Sequence, residues 1–152
     1  MNRRPIAAWG AALLLLAMAS GCGDGRITVH PVAGQVLVDG QPADNASVVF
    51  HPTGADATIT ALRPSARTDE QGRFSLSTYQ RGDGAPPGTY KITVTWNGPP
   101  PDTRPEDVPE QERHSGPDRL AGAYDDPSTT TLSAEVATGP NQLAPLELTM
   151  PR

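Results

Sequence analysis

The side chains in this sequence that could do chemistry are few and widely spaced. Three histidines, His30, His51 and His114, are available as metal ligands or general bases. A catalytic zinc site needs three protein ligands and an open fourth position, usually with ligands at HxxE or HExxH spacing. None of the three histidines has a partner at that spacing, so each reads as a solvated side chain. An activated serine would need a nucleophile elbow of the form G-x-S-x-G, and the chain has none. Asp39, Asp69, Asp83, Asp125 and Asp126 invite a calcium reading, but the D-x-D-x-D-G loop is absent. They sit among Gly and Pro, where Asp bonds its own backbone two residues on, so turn chemistry accounts for them. Lys91, the one lysine, could form an internal isopeptide bond beside an Asn and a buried carboxylate, but strand alternation points it outward. Trp96 and Tyr124 could stack on a sugar, since aromatic faces suit apolar ligand surfaces, although Trp96 is in phase with core positions. The candidate ligand contacts are Trp96, Tyr124 and the neighbouring Asp125. No catalytic residue, metal or cofactor is expected.

The remaining reactive group is Cys22, the single cysteine, and its setting is different. Arg3 and Arg4 open the chain, an apolar run fills residues 6–20, and Gly21 and Cys22 follow. A basic start, a short apolar region and small residues before a cut site mark an export signal. Fifteen residues make a helix of roughly 22 Å, short of the ~30 Å hydrocarbon core, which disfavours a spanning anchor. The junction Ala19-Ser20-Gly21-Cys22 resembles a bacterial lipobox. That resemblance implies that residues 1–21 are removed and that Cys22 becomes the lipidated first residue. One acyl chain binds a membrane marginally and two hold it stably, which suits a diacylglyceryl cysteine. With no second cysteine, an exported fold here has no internal disulfide.

Removal of residues 1–21 leaves 131 residues, ten basic and 17 acidic, enough for one domain with a core. Nucleic acid is excluded as a partner, because phosphate binding needs clustered Lys and Arg.

The elements that would position any site centre on residues 66–96. Phe74, Leu76 and Thr78 alternate in one predicted strand, and Tyr90, Ile92, Val94 and Trp96 in the next. Period-2 spacing puts each set on one face, with Lys91, Thr93 and Thr95 facing water. Upstream, residues 22–31 read as a lipidated tether, in which Ile27 and Val29 could add a short edge strand. Val32–Val38 is the first firm strand, Asp39-Gly40 gives the strongest hairpin signal, and Ala46, Val48 and Phe50 mark the next strand. Residues 53–64 read as loop, 65–68 as a short strand, and Asp69-Glu70-Gln71-Gly72 as a turn. Residues 97–130 carry seven prolines and eleven charged side chains. The 97–123 part reads as a Pro-rich charged surface loop, with a short helix at 103–108 and with 120–124 packed back on the body. Leu132, Ala134 and Val136, then Leu146, Leu148 and Met150, complete the pattern. The expectation is an all-β, seven-stranded antiparallel sandwich over residues 32–150.

Val32-x-Gly34-x-Val36-x-x-Asp39-Gly40-x-Pro42, followed by Ala46-x-Val48-x-Phe50-x-Pro52, resembles bacterial carboxypeptidase regulatory-like domains. Thr68-Asp69-x-x-Gly72-x-Phe74 and Pro87-Gly88-x-Tyr90-x-Ile92-x-Val94 continue the likeness. The resemblance implies a transthyretin-like (prealbumin-like) sandwich and implies no hydrolysis, because a shared scaffold hosts unrelated functions. The expected function is a non-catalytic, lipid-anchored cell-envelope protein with a structural or protein-contact role. The alternative is a carbohydrate- or peptide-binding module of the cell surface. Partners would be the membrane through Cys22, and an envelope protein or polysaccharide, on the outer membrane or the periplasmic face.

Overall fold

The computed structural model describes residues 25–54, 56–98 and 116–152; the expected leader, Cys22, His114 and the predicted 103–108 helix lie outside the described residues. Valines at alternate positions make Val32–Val38 the strand β1, with Val32, Val36 and Val38 buried. Gly34 also faces inward on this strand, and for a steric reason. A Cβ there would stand 2.6 Å from Cζ of Phe74, so the missing side chain makes room for the ring.

Neighbouring residues of a strand direct their backbone groups to opposite edges, so β1 is paired on both sides. Its even-numbered residues bond toward β2 (Gln41–Pro42) and β5 (Arg73–Ser75). Leu76 N donates to Val32 O at 2.9 Å, Gly72 O accepts from Val36 N at 2.8 Å, and Val36 O accepts from Ala43 N at 3.1 Å. The odd-numbered residues bond toward β8 (Asn141–Gln142) and β9 (Leu146–Leu148), with Leu143 N donating to Ala33 O at 2.9 Å. The second sheet has the order β4-β3-β6-β7, built from Ser65–Arg67, Ser47–Pro52, Gly88–Thr95 and Ser133–Val136. It is antiparallel throughout, and its longest ladder runs from Ser47↔Thr95 to Pro52↔Tyr90.

The core lies between the two sheets. Val36, Phe74, Leu76 and Leu148 meet Val48, Phe50, Tyr90, Ile92 and Val94, all at most 4% exposed. Phe50 bridges the layers, its ring centroid 6.4 Å from Phe74 and 5.6 Å from Tyr90. Burying a Val, Leu, Ile or Phe side chain stabilises a fold by about 1.5–3 kcal/mol, so this cluster is the main attraction between the sheets.

The protein is all-β, as the alternation predicts, with the single-turn helix α1 (Ala57–Thr60) in the segment expected to be loop. Asp56 caps that helix, its Oδ1 accepting from Thr58 N at 2.8 Å. There are nine strands among the described residues rather than seven. The two unforeseen ones, β2 and β8, are two residues long, too short for any period to announce. The antiparallel expectation also fails at one place, because β8 and β9 run parallel to β1. Asp39 and Gly40 do form a turn, with φ of 49° and 77°. It returns the chain to β2, and β3 then crosses to the other sheet. Residues 27 and 29 form no strand; His30 makes a single bridge to Ala85 instead. Thr93, expected to face water, is 7% exposed because His51 on β3 closes over it, Nε2 to Oγ1 2.9 Å. Met150, predicted in the last strand, falls beyond β9 and is exposed.

Candidate functional site

Trp96, Tyr124 and Asp125 all come to the end of the sandwich where β6 stops. After Thr95 the chain leaves the sheet, and it returns at Gly116 through a closed base. Gly98 N donates to Pro117 O at 3.0 Å, Gly116 N to Gly98 O at 3.1 Å, and Arg119 N to Trp96 O at 2.8 Å. Asn97 Nδ2 adds a bond to Gly116 O at 3.0 Å. Asp118 is the centre of this clamp. Its Oδ1 accepts from Trp96 N at 2.9 Å and Leu120 N at 3.1 Å, and its Oδ2 from Gly122 N at 2.9 Å. The bonds seat Leu120, which is fully buried in the core.

Trp96 is 9% exposed, and its Nε1 donates to Asp44 O at 2.9 Å. The Arg119 guanidinium lies 3.6 Å from the indole centroid, a cation–π contact that covers the ring. Tyr124 is half-buried against the core, its hydroxyl accepts from Thr149 N at 3.1 Å, and Asp125 beside it is exposed. As placed, the three residues form no open aromatic platform. Replacing Asp118 by alanine should strip three backbone donors of their acceptor and cost about 1–3 kcal/mol. The check is urea unfolding together with Trp96 emission in a protein lacking residues 1–21, where Trp96 is the one tryptophan. An unchanged midpoint and an unshifted emission would refute the clamp.

Of the described histidines, His30 lies just before β1 and His51 on β3, and they bond to different partners. His30 Nδ1 accepts from Gly139 N at 3.1 Å, tying the start of the described chain to the turn before β8. Burial, and secondarily the nearby Arg63 charge, keep the His51 imidazole below its ordinary pKa and favour its neutral form. Among the described residues no three His, Cys, Asp or Glu side chains are placed to hold a metal ion together.

Asp69, Asp83 and Asp126 act as turn caps, whereas Asp39 Oδ2 accepts from the distant Met150 N at 3.4 Å. Asp69 Oδ1 accepts from Gln71 N at 3.0 Å and Arg73 N at 2.8 Å. Asp126 Oδ1 accepts from both Ser128 N and Ser128 Oγ, and these bonds hold its carboxyl below the ordinary range. Asp83 accepts from the amides of Thr78, Tyr79 and Gln80 at 2.7–2.9 Å. Partial burial raises its pKa, but these donors outweigh burial and the net shift is downward from 3.8. A carboxyl with a lowered folded pKa adds stability that is complete above its unfolded value and is lost as pH falls through the folded one. Stability measured from about pH 6 to 2 should therefore fall less steeply in Asp83→Asn than in the parent. Parallel curves would sink that assignment.

One feature was invisible to sequence patterning. A groove of about 390 Å³ crosses the outer face of the first sheet, lined by Gln35, Arg67, Asp69, Arg73, Ser75 and Gln142 among others. It forms because Gln35 stands opposite Arg73 and Ala33 opposite Gln142, a register that only the fold fixes. The alternation does place Gln35 and Arg73 on outward faces, and that was the one available signal.

No family model and no curated protein matches this chain. Among solved structures it is similar to a DUF3823 family protein from Parabacteroides merdae ATCC 43184, with 16% identity and a TM-score of 0.45. That alignment covers 82% of this chain and 48% of the other, so the chain spans about half its length. A 9R-lipoxygenase from Cyanothece PCC8801 aligns at 13% identity and a TM-score of 0.41, over 80% of this chain and 16% of its own.

Proposed function

We propose that this chain is a lipid-anchored protein of the bacterial cell envelope, held through an acylated Cys22 and acting in structure or protein contact without catalysis. The observation that carries the reading is that, among the described residues, most of the chemically capable side chains brought out by the sequence are engaged in holding the scaffold. His30 accepts from Gly139, and His51 is bonded to Thr93. Trp96 lies beneath Arg119, and Asp69, Asp83 and Asp126 cap turns. The apolar run ahead of Gly21-Cys22 supports the anchor. The two-sheet arrangement is in keeping with the resemblance to carboxypeptidase regulatory-like domains.

Cys22→Ser should move the protein from the membrane pellet to the soluble fraction of lysed cells, since two acyl chains are what make such binding stable. Equal retention of both forms would refute the anchor. The contact role is tested by crosslinking in intact envelopes, comparing the mature protein with a version lacking residues 99–119. Identical adduct patterns would remove the excursion from the contact surface.

The second reading, a carbohydrate- or peptide-binding module, is favoured by the polar groove on the first sheet, which offers Arg67, Arg73, Gln35 and Gln142 for hydrogen bonding. Arg73→Ala should then weaken retention on immobilised envelope polysaccharide while leaving the fold intact.

A further inference from the structure

The segment after Cys22 is bound to the sandwich almost at once. The Arg26 guanidinium lies 5.4 Å from the Tyr79 ring centroid, and Ile27 N donates to Tyr79 Oη at 3.2 Å. His30 exchanges two backbone bonds with Ala85, of 2.9 and 3.0 Å, and its ring accepts from Gly139 N. Tyr79 in turn sits in the loop that Asp83 folds on itself. Three residues separate Cys22 from Arg26, four steps along the chain, and an extended chain covers at most ~3.6 Å per step, so the free length is at most about 14 Å.

The pairings also fix which end of the molecule this is. β1 starts beside His30, Ala85 and Asn141 and finishes beside Asp39 and Leu148. Trp96 bonds to Asp44, and Tyr124 to Thr149, so the base of the excursion belongs to the finishing end. Seven residues of strand separate the two ends by roughly 20 Å.

Resting on the anchored reading above, we propose that the end formed by residues 26–30, 79–83 and 139–140 lies against the phospholipid headgroups. The end carrying Asp39-Gly40 and the Trp96–Asp118 clamp is presented away from the membrane. A leash of about 14 Å docked on one end of the sandwich keeps that end near the surface, while the other end stands roughly 20 Å further along the strands. Exposed Arg81 stands at the inner end, where lipid phosphates would meet it.

Acylation of Cys22 occupies the only native thiol, so one introduced cysteine reports one position. The mature lipidated protein is reconstituted in phospholipid vesicles with a fluorophore on Gln80→Cys or Gln41→Cys, both exposed sites, and quenched by headgroup-labelled lipid. Arg81→Cys and Met150→Cys provide an independent pair. The expected result is strong quenching at 80 and 81 and none at 41 and 150. Equal or reversed quenching, with vesicle flotation still dependent on Cys22, overturns the orientation alone. Flotation that persists in Cys22→Ser overturns the anchored reading, and the orientation with it.

Discussion

Replacing Phe50 by alanine should lower the unfolding free energy by about 3–5 kcal/mol. Phe50 is fully buried on β3 and is in ring contact with Phe74 of the other sheet and Tyr90 of its own. Truncation removes the transfer gain of the ring and leaves a cavity that its neighbours cannot fill. Phe74 is already pressed against the Gly34 backbone. Tyr90 is pinned by its hydroxyl, which donates to Pro86 O at 2.7 Å. The same burial pushes the Tyr90 phenol pKa up to about 12, so it stays a neutral donor. With a urea m-value of about 1–3 kcal/mol per molar, the midpoint should fall by at least about 1 M. A fall below a few tenths of a molar would mean that the two sheets do not meet through this ring.

Gly84→Ala should be nearly as damaging, through the backbone. Gly84 has φ of +98°, a conformation that strains any L side chain, and its Cβ would stand 1.7 Å from His30 O. Strain at such a φ costs about 1–3 kcal/mol by itself. The collision adds to it, because the obstacle is a carbonyl and not the tip of a flexible side chain. The expected relief is detachment of the 26–30 segment, read as loss of hydrogen-exchange protection at the His30 and Ala85 amides. Gly82→Ala is the matched control, with φ of +73° and nothing within 4 Å of the added carbon. If both variants were equally stable, the close approach at Gly84 would have no energetic weight.

Much of this architecture can be read from residue order, for identifiable reasons. Val32–Val38 has the bounds that its alternating valines predict, and the predicted Tyr90, Ile92 and Val94 are buried on β6 together with Thr93, which the alternation placed outside, with Trp96 just beyond the strand. The Asp69–Gly72 turn is local chemistry, and local chemistry survives translation into structure. What escaped depends on residues distant in sequence. The parallel β8 and β9 pairings need the chain to come back from the far end of the domain, and no period encodes that direction. The cover over Trp96 comes from Arg119, 23 positions away, and requires the return of the excursion. Asp118 was overlooked as well, although Pro117-Asp118 ahead of Ala121-Gly122 has the composition of a turn. The candidate ligand contacts were placed by phase alone. Phase identifies the buried face of Trp96 but says nothing about what lies on the other face.

The pairing of β1 with β8 and β9 bears on the order of events during folding. Contacts such as Gly139 N to His30 Nδ1 join residues 109 positions apart, so the loop that must close is nearly the length of the domain. Such high contact order slows folding, because chain entropy is lost before the contacts that reward it can form. Until Asn141 and Leu146 have emerged, one edge of β1 stays unpaired and able to capture a strand from another chain. The polypeptide therefore completes its first sheet only after synthesis has passed residue 148.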